Sequence, residues 1–272
     1  MNRQLLRIKA VTKTILRRFM WLYDTYAYRH KMTYRKLNTI DNKRIVILAP
    51  HSDDEWVGCS RLITSGDNSI TIIDMDMPGG DDVSLHKKRY LEMEGVAQRY
   101  KTQLLVATGD KKSFLIDYLS KNIVDMVFIP SFFDWHDEHI SVMEIFDSAA
   151  REVGYKGLVA MYQVSIPIPP SFITHCSGMS KLELKNKWRN LRKYYPSQKR
   201  LPFKRFLINE RINGAIIREY AIEAYAVMNF EKWSSCLKTY MFNGPEREFL
   251  YSKLQDIGKI RKMISKYVEE KA

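Results

Sequence analysis

Ile45-Val46-Ile47-Leu48-Ala49-Pro50-His51-Ser52-Asp53-Asp54-Glu55 is the stretch that decides how this chain is read. An apolar run ends in an imidazole and three consecutive acids. That order is expected where a buried strand reaches the edge of its sheet, and in sheets of alternating strands and helices ligands gather at that edge. Three adjacent carboxylates repel one another, so they either stand in water or share a cation. A second segment repeats the pattern. Met126-Val127-Phe128-Ile129-Pro130 leads into Asp134-Trp135-His136-Asp137-Glu138-His139. Two strand ends bearing His and acid together predict a divalent-metal site.

Working outward from these two segments, the chain alternates between strand and helix. Strands are predicted over 44–50, 69–75, 103–107, 125–130 and 157–165, with helices over 56–65, 85–100, 112–121 and 138–153 between them. Such alternation implies an α/β fold: a mostly parallel sheet with helices on both faces and right-handed crossovers. Pro78-Gly79-Gly80 is expected to be a loop, because it lacks the spacing of a phosphate-binding fingerprint. Pro167, Pro169 and Pro170 break the rhythm after the fifth strand. Beyond them 181–194, 210–228 and 246–269 read as helices, and Tyr194-Tyr195-Pro196-Ser197-Gln198 as a turn. Residues 2–23 read as a basic amphipathic helix. The expected organisation is a basic N-terminal helical arm over 1–40, one α/β domain over 41–235, and a helical C-terminal extension over 236–272.

Composition narrows the function. Hydrophobic residues make up 45% of the 272, ample for a large core. Cys59, Cys176 and Cys236 are far apart and form no CxxC pair, which argues against a thiolate zinc cluster and for a reducing compartment. No apolar run reaches the roughly 18–20 residues that cross a bilayer, and Arg17 and Arg18 interrupt the N-terminal candidate for a signal peptide. A cytoplasmic protein is expected. The net charge of +13 calls for an anionic partner. In residues 1–40 the basic residues Arg3, Arg7, Lys9, Lys13, Arg17, Arg18, Arg29, Lys31, Arg35 and Lys36 face one acid, Asp24. A second basic stretch runs from Lys181 to Arg205. Nucleic acid, anionic lipid and phosphate-linked sugars are all attracted by such charge. Packing on its own domain and contact with the inner face of an anionic membrane are the two roles open to the N-terminal helix. No nucleic-acid motif is visible.

The acids and histidines have a natural division of labour. His51 and Asp54, three residues apart, face one side of a tight turn or first helical turn. His139, from the other strand end, completes two imidazoles and a carboxylate with a position left for water, a common catalytic zinc arrangement. Two imidazoles favour a transition metal over magnesium or manganese. Asp53, pointing away from Asp54, is placed to act as general base. His136 is placed to stabilise an oxyanion or to protonate a leaving amine. Glu55, Asp134 and Glu138 are expected behind the ligands, orienting the histidines. The plainer alternatives are acids set at a helix N-terminus and ordinary surface histidines, a reading kept for His30, His86 and His175.

At these residues the chain resembles the PIG-L, or LmbE-like, family of N-acetylglucosaminyl deacetylases. The family's Pro/Ala-His-Pro-Asp-Asp-Glu motif corresponds to Pro50-His51-Ser52-Asp53-Asp54-Glu55, and its Asp-x-His-Pro-Asp-His motif to Asp134-Trp135-His136-Asp137-Glu138-His139. The resemblance spans about residues 44–230. It implies a Rossmann-like fold and a zinc-dependent hydrolase that removes acyl groups from amino sugars, with zinc on His51, Asp54 and His139, Asp53 as base and His136 at the oxyanion. Arg89-Tyr90-Leu91-Glu92 is similar to the family's Arg-x-x-Glu helix, which implies that Arg89 binds substrate. Tyr195-Pro196-Ser197-Gln198 is similar to its Ser-Gln element. A solvated helix face and a simple turn are the alternatives for these two. Ser52 in place of proline, and Asp137-Glu138 in place of Pro-Asp, touch no ligand. The substrate implied is an N-acetylated amino sugar, phosphate- or lipid-linked in view of the charge. The rival classes are a non-catalytic binder of anionic polymer and a family member that binds glycan without cutting it.

Overall fold

The computed structural model describes residues 3–77, 83–198 and 201–271; Pro78-Gly79-Gly80 lies outside them. Seven strands form one sheet: β1 (Arg44–Ala49), β2 (Ser69–Asp74), β3 (Gln103–Val106), β4 (Met126–Pro130), β5 (Leu158–Tyr162), β6 (His175–Met179) and β7 (Ala221–Asn229). Their order is β3-β2-β1-β4-β5-β7-β6, and β7 runs against the direction of the other six. The fold is α/β and Rossmann-like. The chain winds outward from β1 through β2 to β3, then returns to place β4 on the other flank of β1. The crevice at the carboxyl ends of β1 and β4 is therefore the switch point at which such sheets bind ligands. Both His/acid segments leave the sheet there.

Successive side chains of a strand point to opposite faces, and the strands show it. Ile45, Ile47 and Ala49 enter one core layer with Trp56, Met93, Leu184 and Trp188, whereas Val46 and Leu48 enter the other with Leu115, Phe146 and Trp233. The first layer is closed by α2 (Asp54–Ser65), α3 (Val83–Tyr100), α6 (Lys181–Tyr194) and α7 (Phe203–Gly214). The second is closed by α4 (Lys111–Lys121), α5 (Asp137–Glu152) and α8 (Phe230–Tyr240), with α9 (Gly244–Lys253) and α10 (Ile257–Lys271) beyond. The helix α1 (Arg3–Lys31) packs on α7 and α10. Gly58 in α2 lies against the ring of Tyr162, where a Cβ would stand 2.2 Å from a ring carbon. That close approach leaves room for Tyr162 of β5, packed on α2, to donate its hydroxyl to the Leu48 carbonyl of β1 at 2.8 Å.

Five strands and the helices between them stand where the sequence predicts. The helix expected over 210–228 does not form as one: α7 ends at Gly214, and Ala221–Asn229 is the strand β7. This strand is buried on both faces, so it lacks alternation, and its apolar residues recur at spacings that mimic a helix. The helix expected over 246–269 is broken at Leu254–Asp256 into α9 and α10. The first helix runs on to Lys31, and β6 and α8 were not foreseen. The three cysteines are free thiols. Among the described residues no helix is long and apolar enough to cross a membrane.

Candidate metal centre

After β1 the chain turns sharply. The Asp54 amide donates to the His51 carbonyl at 3.2 Å, and Asp53 takes φ 121°, a region that costs a non-glycine residue about 1–3 kcal/mol. The surroundings hold it there. The Asp53 carbonyl accepts from the amides of Trp56 (3.0 Å) and Val57 (2.8 Å), and the Asp53 amide donates to Glu55 Oε2 at 3.0 Å. Tyr195, at the end of α6, donates its hydroxyl to the other oxygen of Glu55. Glu55 thus holds the strained turn and Tyr195, not the histidines it was expected to orient. The turn separates the two aspartates: Asp53 lines the cavity above the site, and Asp54 faces His51 and His139.

After β4 a second turn is built on Asp134. Its Oδ1 accepts from the amides of Trp135 (2.7 Å) and His136 (3.2 Å), and its Oδ2 lies 3.2 Å from His139 Nδ1. His136 is the N-cap of α5, with Nδ1 accepting from the Glu138 amide at 3.3 Å. Its other nitrogen, Nε2, is therefore the one that carries the proton in the neutral ring. Burial, and then the neighbouring His139 and His51, push the His136 pKa down, so it is neutral at pH 7.

The two turns meet on Asp54. Its Oδ2 lies 3.3 Å from His51 Nδ1 and 3.3 Å from His139 Nε2. Charge-assisted hydrogen bonds run shorter, at about 2.7–2.9 Å. Ligands about 2.0–2.2 Å from a tetrahedral ion stand roughly 3.3–3.6 Å apart, which is the spacing seen. The far nitrogens agree. His139 Nδ1 is held by Asp134, and His51 Nε2 by Glu138 Oε2 at 2.5 Å. In the neutral tautomer whose far N–H donates to that carboxylate, the near nitrogen presents a lone pair to the shared point. His51, Asp54 and His139 accordingly fit a divalent metal, with Asp134 and Glu138 orienting the rings. His51, His136 and Glu138 form an overlapping group whose donor atoms lie within 4.8 Å of one another. There, however, His136 Nδ1 is engaged as the helix cap.

Electrostatics mark the same spot. Burial opposes charge on Asp54, but His139 and His51 overcome it and hold the carboxyl well below its usual range. Burial likewise opposes charge on His139, yet Asp54 and Asp134 drive its pKa up. Asp53 moves the other way: burial and the adjacent Asp54 and Glu55 raise it, and Arg89 and His139 only partly offset them. The two adjacent aspartates therefore sit in opposite settings, Asp54 held ionised and Asp53 pushed toward its neutral form.

Above the three residues lies a cavity of about 410 Å³. Arg89 and Gln198 form one wall. Arg89 donates to Gln198 Oε1 at 3.2 Å, and Gln198 donates to the Ser52 carbonyl at 3.3 Å. Behind them Ser197 Oγ donates to Glu92 at 2.5 Å. The two weaker motif matches are thus one unit, and neither a solvated face nor a simple turn describes them. Trp135, Arg205 and Gln255 line the cavity without having been singled out from the sequence. Trp135 was visible between motif residues. Arg205 was counted as part of a basic surface, but it is buried and donates to the Leu254 carbonyl at 3.2 Å. Nothing local announces Gln255. Of the remaining histidines, His86 pairs with Asp76 at 3.2 Å and lies outside this constellation.

A scan against protein-family models and a search of curated proteins return no match to this chain. Among solved structures, the conserved protein TT1542 from Thermus thermophilus aligns with a TM-score of 0.54 at 18% identity, over 68% of this chain and 94% of that one. The two share a fold. Two deacetylases also align. The pseudoaglycone deacetylase Dbv21 does so with a TM-score of 0.47 at 14% identity, over 70% of this chain and 99% of its own. The zinc-inhibited form of teicoplanin deacetylase Orf2 does so with a TM-score of 0.48 at 11% identity, over 68% of this chain and 98% of its own. At identities this low, none of these likenesses speaks to the reaction.

Proposed function

We propose that this chain is a metal-dependent N-deacetylase of the PIG-L or LmbE-like kind, with residues 41–235 as its catalytic domain. One observation carries the reading: Asp54 Oδ2 stands 3.3 Å from a ring nitrogen of both His51 and His139, beneath the cavity that Asp53 lines. Zinc is the favoured ion, since two imidazoles and one carboxylate with an open position make a common catalytic zinc set. A divalent ion supplies Lewis acidity there and lowers the pKa of water at the site from 15.7 to about 7.

The residues around it do the rest. Asp53, raised by its burial, takes a proton from the attacking water as the new C–O bond forms. His136, neutral and with its proton on Nε2, donates a hydrogen bond to the oxyanion. The C–N bond then breaks as the amine nitrogen gains a proton, from Asp53 or His136, leaving acetate and a free amine. Arg89, tied to Gln198, is a substrate-binding group on the cavity wall. Trp135 offers an aromatic face, and its Nε1 has no protein partner among the described residues. Such a wall suits a sugar, which presents apolar ring faces and hydroxyls together. The substrate read from this wall and the basic charge is an N-acetylated hexosamine on a phosphate- or lipid-linked precursor of a surface polysaccharide.

The test is acetate release from N-acetylhexosamine conjugates with and without chelator. Release is expected to stop on chelation, return with zinc, and be absent from His51→Ala. Release that persists in His51→Ala contradicts the assignment.

A further inference from the structure

The helix α1 presents its apolar side outward. Its inward face is fixed to the turn between α9 and α10: Trp21 Nε1 donates to the Gln255 carbonyl at 3.0 Å, Tyr28 to the Gly258 carbonyl at 2.7 Å, and Arg17 to Gln255 Oε1 at 3.4 Å. On the opposite face Val11, Ile15, Phe19, Leu22 and Tyr26 follow the i, i+4, i+8, i+11, i+15 spacing of a single stripe. Their exposures are 58%, 46%, 65%, 61% and 66%. Arg18 flanks the stripe, Lys9 and Lys13 lie on the groove side of the helix, and all three are exposed. Asp24, the one acid in residues 1–40, faces inward and accepts from the Gly258 amide at 3.3 Å. A contiguous apolar face of this kind marks an interaction surface.

The surface adjoins the metal centre. A groove of about 730 Å³ runs between α1 and residues 252–259, with Leu16 and Met20 on one side and Lys253 and Lys259 on the other. Gln255 lines both this groove and the cavity over the metal centre.

We infer that α1 is an interfacial helix that seats the protein on an anionic lipid bilayer, with the cavity mouth beside the lipid and the sugar delivered on a lipid phosphate. The substrate clause rests on the deacetylase reading; the docking clause does not. Charge chooses the occupant. An outward apolar stripe on a helix whose polar side carries lysine and arginine is the pattern that binds anionic membranes. A second copy docked through this face would bring α1 no acid to meet Arg18, because Asp24 faces inward. Nucleic acid would engage the basic edges and leave the apolar stripe in water. In the groove, Lys13, Arg17, Lys253 and Lys259 outnumber the acid Asp256 and are cations for a phosphate, beside the apolar Leu16 and Met20.

The experiment is co-sedimentation of the full chain with vesicles of pure phosphatidylcholine, or with about one-third phosphatidylglycerol. Binding is expected only to the anionic vesicles and to weaken with salt. The triple variant Ile15→Ser, Phe19→Ser, Leu22→Ser should lose it roughly tenfold or more with an unchanged melting temperature. Lys13→Glu with Arg18→Glu should lose it as well. Binding that ignores the triple change or lipid charge overturns the inference. So does a salt-stable dimer broken by Phe19→Ser with no vesicle binding. Acetate release is then measured on a vesicle-borne and on a soluble N-acetylhexosamine conjugate. The triple variant should lose activity only on the vesicle-borne one, and equal activity on both overturns the substrate clause. Release from neither, with vesicle binding intact, overturns the deacetylase reading and leaves docking standing.

Discussion

Two clusters of buried charge flank α2, and they solve the same problem differently. In one, Lys187 from α6 stands 2.5 Å from Glu210 on α7 and 2.6 Å from Glu223 on β7. The remaining oxygens are filled as well, Trp188 donating to Glu210 Oε2 and Tyr225 to Glu223 Oε2 at 2.8 Å each, while Ser60 donates at 2.6 Å to the Glu223 oxygen that Lys187 also binds. In the other, Asp54 faces two histidines at 3.3 Å each. The void beside the lysine cluster is about 10 Å³, against about 410 Å³ over the histidines. The first cluster carries its own cation, closed and short. The second is spaced for a cation from outside and is open to a substrate. Burying acids is therefore not what marks a site in this molecule. The mark is burial without a resident ammonium, at ligand-to-ligand spacing, under a cavity.

Substitutions can break that contrast. Asp54→Asn should abolish acetate release, beyond the roughly 10⁴-fold upper cost of losing a general base, because the ion goes with the ligand. Asp53→Asn should cost about 10²–10⁴-fold while bound metal, measured by mass spectrometry, stays at the wild-type level. Lys187→Met should leave metal content unchanged and lower unfolding free energy by about 3–5 kcal/mol, the cost of stranding a partner charge in the interior. Denaturant titration reads it. If Lys187→Met instead removes the metal, the two clusters are one system and the contrast fails.

Smaller effects sharpen it. Asp134→Asn, which loosens the proton held on His139, should weaken metal affinity about 10–100-fold, as read by competition with a chromophoric chelator. Arg89→Gln tests the proton acceptor. Arg89 lowers the Asp53 pKa, although burial, Asp54 and Glu55 raise it more. Asp53 acts when ionised, so activity falls as pH drops through its pKa. Removing Arg89 raises that pKa, and the acid limb of the kcat/KM profile should move to higher pH. A limb that stays put separates Arg89 from Asp53.

Much of this was legible in the sequence, for a physical reason. β1 to β5 are short apolar runs flanked by polar turns, and the ligands follow β1 and β4 directly, so local pattern and site coincide. Ranked by what was lost, β7 comes first. Ala221–Asn229 is sandwiched between two layers and carries Glu223 toward Lys187, so neither alternation nor polarity marks it as a strand. The break at Leu254–Asp256 has no glycine or proline within it; Asp256 caps α10 by accepting from the Lys259 amide at 3.0 Å, and Trp21 binds the Gln255 carbonyl from α1. Glu55 shows the limit for the site. Its place in the motif was plain, but its work in holding Asp53 at φ 121° through Tyr195 needs residues 140 positions apart to meet.

Calorimetric titration of zinc into metal-stripped protein tests the central claim most directly. The account predicts one site per chain, lost in Asp54→Asn and in His139→Ala and intact in Lys187→Met. Binding unchanged by Asp54→Asn, or no binding by the wild type, contradicts it.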